Sequence, residues 1–168
     1  VGDEGTDVTE DDVNAKIVKV GFKGIWDEPL QPGKHPINIK TCKVTKVPTT
    51  QILLNWATNT NESHELDKNL STITLRTQDA FAANMDVSVI IHIQMINAPK
   101  IVANQGSVPN LISQVLEPAI SSHFRNAAQY INALDLYRKR SELQTTAKAH
   151  IQNVLAAHYV ESKDTLIA

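Results

Sequence analysis

The chain has 168 residues, 42% of them apolar, and a formal net charge of −2. That is enough for one domain with a sizeable core and too little for two. The near-neutral balance is far from a nucleic-acid-binding composition, so no nucleic-acid partner is expected.

Charge is unevenly placed. The first twelve residues, VGDEGTDVTEDD, hold six acids and no base, and residues 1–15 read as an acidic flexible segment. The chain opens without Met, as a processed or excised piece would. One cysteine, Cys42, excludes an internal disulfide. There is no signal peptide and no apolar run near twenty residues, so no membrane span is expected within this stretch.

Taken in chain order, KIVKV (16–20) is a short strand candidate, and Leu30-Gln31-Pro32-Gly33 carries a turn signal. Cys42 to Val47 and Gln51 to Trp56 alternate weakly. Asn59 to Asn69 is polar and reads as a loop or hairpin tip. Ser71 to Thr77 alternates again, with Ile73 and Leu75 on one face.

The clearest strand runs from Asn84 to Gln94. Met85, Val87, Val89, Ile91 and Ile93 fall on one face and polar residues on the other, with Ile90 the exception. An antiparallel sheet with one covered face fits this pattern. The period then changes. Ala98-Pro99 starts a short helix that stops near Gly106, with Asn97 as a candidate cap. From Asn110, apolar residues recur at three and four, with Pro118 inside and a kink expected there. A second long helix is expected from Asn132, which would cap it, to Ala157, followed by an extended segment over 160–167. Strands followed by helices make this an α+β chain, a mostly antiparallel sheet with helices on one side or end.

Little here resembles catalysis. His35, His64, His92, His123, His150 and His158 are scattered without ligand spacing and read as surface histidines; no metal or cofactor is expected. HELD (64–67) lacks the second His of a zincin motif, Cys42 has no readable base, and no nucleotide-binding glycine pattern occurs. Ile90 and His92 share the face opposite the apolar stripe, where a neighbour would pack. The basic run Arg138, Lys139, Arg140 is either a solvated helix face or a contact for a partner or anionic membrane. Trp26 and Trp56 are candidate membrane-facing anchors and equally candidates for core.

Four segments, in order and spacing, resemble one family: LQPGKHPI (30–37), STITLRTQDAFAANMDVSVIIHI (71–93), APKIVANQG (98–106), and NLISQVLEPAISSHFRN (110–126) with LYRKRSELQTTAKAHIQNVLAAHYVESKDTLI (136–167). Together they resemble the SPFH domain, also called band 7 or prohibitin-homology domain, of stomatins, prohibitins and flotillins, over residues 16–168. The resemblance implies a non-enzymatic, membrane-associated scaffold. Such a scaffold would form homo-oligomers and organise membrane microdomains or regulate partner membrane proteins. It would carry an anchor before this domain and a coiled coil after it. An excised domain would then be soluble and weakly associating. The alternative is a lipid- or ligand-binding module without a scaffold role. Ala98 stands where the family commonly has Asp before the helix-starting proline.

Overall fold

The computed structural model describes residues 17–58 and 66–167; the acidic lead and most of the 59–69 loop lie outside them. Pairing begins with two short parallel strands, β1 (Ile17–Val18) and β2 (Ile25–Trp26). The next twenty-odd residues are irregular. Cys42 to Val47, expected as a strand, forms none: Val44 is exposed while Cys42 and Val47 are half-buried, so its alternation gives no consistent apolar face.

The core sheet follows. β3 (Ile52–Trp56) and β7 (Glu161–Ile167) flank β6 (Val87–His92), both antiparallel to it. A separate hairpin pairs β4 (Ile73–Arg76) with β5 (Ala82–Met85). The single strand expected over 84–94 is therefore two. The break falls at Asp86, whose carboxylate accepts a hydrogen bond from the Thr72 hydroxyl. Alternation continues through it, so Met85 and Val87 both point inward, yet β5 and β6 pair with different neighbours.

After a short 3-10 turn, α1 (Ala98–Gln105) begins with Pro99 in its first turn and ends at Gly106, whose φ of 79° suits glycine. Asn97 makes no side-chain cap bond. Ser107 does cap α2 (Val108–Leu111), accepting from the Asn110 N–H. Where a kink was expected, the backbone widens into a π turn over Ile112–Leu116 before α3 (Glu117–Ala128). The Glu117 N–H reaches back five residues to the Ile112 carbonyl. Pro118 has no N–H and its ring would press on the Gln114 carbonyl in a regular helix; the wider turn relieves both defects.

The last long helix is also divided. α4 (Ala133–Arg138) breaks at Lys139, and α5 (Arg140–Ala157) runs on to the turn before β7. Helices α1, α3 and α5 bury Ile101, Ile120, Phe124, Leu143, Ala147, Ile151 and Leu155 in one core. They share it with Leu54, Trp56, Val87, Val89 and Ile91 of the sheet. The α5 side chains also cover the edge strand β7. Arg140 and Gln152 donate to the carbonyls of Ile167 and Ser162, and Lys148 meets the Asp164 carboxylate at 3.2 Å. An uncovered edge would offer those acceptors to another chain.

Phe124 lies on α3, which packs against β4, and is 1% exposed. Phe124→Ala is expected to destabilise the domain by about 3–5 kcal/mol through lost burial and a residual cavity, read as a lowered urea midpoint with unchanged slope.

Candidate functional site

The outer face of the β3–β6–β7 sheet carries the first set of candidate residues. Ile90 is half-buried, facing Leu53 across β3 and Asp164 across β7. Asn55, Ser88 and Leu166 form the next row, with the Ser88 hydroxyl donating to Asn55 at 2.7 Å. A register shift beside Ile90 places Ile91 opposite Ser162 and His92 opposite Glu161. His92 Nδ1 is buried without a hydrogen-bond partner among the described residues. The Lys163 ammonium, bonded to Glu161 at 2.7 Å, holds that carboxyl below the usual range, helped by the Gln94 amide. Leu53, Ile90 and Leu166 thus make a modest aliphatic strip edged by paired charges.

The basic cluster divides. Arg140 is committed to the Ile167 carbonyl, whereas Arg138 and Lys139 stay exposed, with no ion-pair partner among the described residues. Around them lies a surface that sequence reasoning missed. Tyr130, Leu134 and Tyr137 are 82%, 76% and 83% exposed, and Phe81 stands out from the β4–β5 turn at the same end. That turn is bound to the start of α4. The Gln78 N–H donates to the Ile131 carbonyl at 3.1 Å, and the Ala133 N–H donates to the Asp79 carboxylate at 3.3 Å. Asp79, not Asn132, therefore caps α4. Its own backbone N–H, then Thr77 and Ala133, hold the carboxyl below its ordinary range. The available signal was the off-stripe spacing of Leu134 and Tyr137, apolar residues on the wrong side of an amphipathic helix.

The tryptophans part company. Trp56 is 1% exposed, deep in the core between sheet and helices, and so has no membrane-facing role. Trp26 is half-buried in β2 with its indole N–H donating to the Phe22 carbonyl at 3.2 Å.

The histidines are not all scattered surface groups. His123 of α3 and His150 of α5 stack at 4.7 Å between ring centres, 18° from parallel. His123 Nε2 has no hydrogen-bond partner among the described residues, and a cleft of about 130 Å³ opens beside it, lined also by Lys139, Glu142 and Thr146. Face-to-face rings cannot aim two lone pairs at one ion. Among the described residues no group of three or more His, Cys, Asp or Glu is placed to hold a metal.

Burial, then the neighbouring His150, push the His123 imidazole below its ordinary pKa. The unfolded chain therefore takes up this proton first, and stability falls as pH drops below about 6.5. The urea midpoint is expected to be lower at pH 5.5 than at pH 7.5, with a shallower loss in His123→Phe. Separately, Asp79→Ala should speed amide exchange across Ala133–Arg138 and leave the core helices protected, while Asp79→Asn retains most of the cap.

Among the described residues no helix is long and apolar enough to cross a membrane. No curated protein matches the sequence. The family model described as SPFH domain / Band 7 family matches residues 12–168. The strand-to-helix order, the antiparallel core sheet and the proline-started α1 are those expected from the resemblance, and the chain belongs to the SPFH/band 7 family, which is non-catalytic and generally associated with scaffolding.

Proposed function

We propose that this domain is a membrane-associated scaffold that self-associates, and that in the assembled protein it organises membrane microdomains or regulates partner membrane proteins. The observation that carries this reading is the α4 surface. Four large side chains, Phe81, Tyr130, Leu134 and Tyr137, face solvent together at one end of the domain. Aromatic clusters of this kind with an arginine beside them, here Arg138, are the usual anchors of protein interfaces. Leu134 and Tyr137 sit on a helix whose start is held by the hairpin that carries Phe81, so the surface is presented in one orientation and little ordering cost falls on binding.

The aliphatic strip of Leu53, Ile90 and Leu166, with His92 at its end, is the second contact face. If α4 of one copy meets the sheet face of the next, the contact is heterologous and propagates into a ring or filament. Each contact is small, so a single domain associates weakly and the full assembly gains strength by multivalency. The basic residues Arg138 and Lys139 act at the rim of this contact.

Sedimentation velocity over a concentration series tests the reading. Self-association should grow with concentration in the unaltered chain and fall by about tenfold in Leu134→Ser/Tyr137→Ser. Monomers at every concentration, or an unchanged association constant in the variant, would overturn it.

A further inference from the structure

A second exposed apolar surface lies on the opposite side of the long β5–β6 run from α4. β1 and β2 pack against α1, which follows the far end of β6. They are joined by the loop Lys19–Gly24, KVGFKG, which is a built structure. The Phe22 N–H donates to the Lys19 carbonyl at 3.2 Å, and the Asp27 N–H donates to the Val18 carbonyl at 2.9 Å. The Trp26 indole N–H donates to the Phe22 carbonyl at 3.2 Å. Gly21 has a φ of 99°, which a residue with a Cβ rarely adopts. The folded loop nevertheless leaves its two large apolar side chains outside: Val20 is 50% and Phe22 60% exposed, with Lys19 and Lys23 exposed on either side.

We infer that this loop is a lipid contact: Val20 and Phe22 enter the headgroup region of an anionic bilayer, while Lys19 and Lys23 bind its phosphates and Trp26 sits at the interface. The inference rests on the membrane half of the scaffold reading and gives it a surface. Three observations favour a lipid occupant over a protein. The apolar tip is two side chains, too small for a protein interface core but sufficient to dip past headgroups. Lysine stems carry their ammonium groups up to the phosphate level while the tip goes deeper. The stretch that contains the loop is basic: residues 17–50 hold six lysines, Lys19, Lys23, Lys34, Lys40, Lys43 and Lys46, against Asp27 and Glu28. Such a surface is drawn to anionic lipid and loses that attraction in salt.

The assignment also separates two basic regions that look alike in sequence. Arg138 and Lys139 stand with the α4 aromatics, at the other end of the β5–β6 run.

Co-sedimentation of the 168-residue chain with vesicles tests this, using phosphatidylcholine alone and phosphatidylcholine with about one third phosphatidylserine. The chain should bind the phosphatidylserine vesicles at low salt and release them at high salt. Phe22→Ser and Lys19→Glu/Lys23→Glu should each weaken binding by about tenfold. Arg138→Gln/Lys139→Gln should bind as the unaltered chain does. Trp26 emission should shift to the blue on binding, and Trp26→Phe should abolish the shift, since Trp56 is already buried. Soluble phosphoserine should not displace the chain; displacement would mark a free-anion site and overturn the lipid contact. So would absence of binding to phosphatidylserine vesicles at low salt, the result expected if the loop meets an acidic protein instead. Equal binding by the loop variants would overturn the loop assignment while leaving membrane association standing. None of these outcomes alters the sedimentation result for α4, so the two readings fail separately.

Discussion

Strand β6 lies between β3 and β7, and its pleat sends Val87, Val89 and Ile91 to one side and Ser88, Ile90 and His92 to the other. The inward row is met by α1, α3 and α5. Those helices are obliged to lie on that side because their own apolar stripes have no other dry surface. The outward row receives no helix among the described residues. This asymmetry makes the domain one-sided, with its helix packing on one side of the sheet and the proposed contact surfaces on the other side and at the ends.

The features readable from sequence are the ones whose cause is local. The inward row of β6 follows from period-two alternation, and the stripes of α3 and α5 follow from spacings of three and four. Pro99 marks the start of α1 and Gly106 its end, each for its own backbone reason. The family assignment is legible for the same reason, since its segments are short local patterns in a fixed order. What escapes is decided by partners distant in sequence. The break at Asp86 leaves the alternation intact and shows only in which strands pair with each half. Asn132 is well placed to cap α4, yet Asp79, more than fifty residues earlier, does so. His123 and His150 are unremarkable singly and meet only because α3 and α5 pack. Trp56 is a membrane candidate by composition, and β3 carries it inside.

The same distinction applies to the surfaces. Ile90 was visible because it interrupts an alternation. Leu134 and Tyr137 were hidden because α4 and α5 read as one continuous helix, in which a few off-stripe residues draw no notice. The break at Lys139 makes α4 a short separate element. A six-residue helix with almost no buried side chain cannot be stable by itself. Its persistence comes from its two ends, Asp79 and the Gln78–Ile131 hydrogen bond at one and α5 at the other.

That clamp has a mechanical consequence. The β4–β5 turn grips α4 on one side, and β5 runs directly into β6, the middle of the sheet. The backbone path from the aromatic surface of α4 toward α1 and the lysine-flanked loop thus runs through β5 and β6, which meet at Asp86 and pair with different neighbours. If copies of the domain meet through α4 as proposed, tension applied there passes first into the β4–β5 hairpin, which holds the start of α4 by two hydrogen bonds. Asp86, where the pairing passes from β4 to β3, is the point along that path at which load would pass from the hairpin to the central sheet.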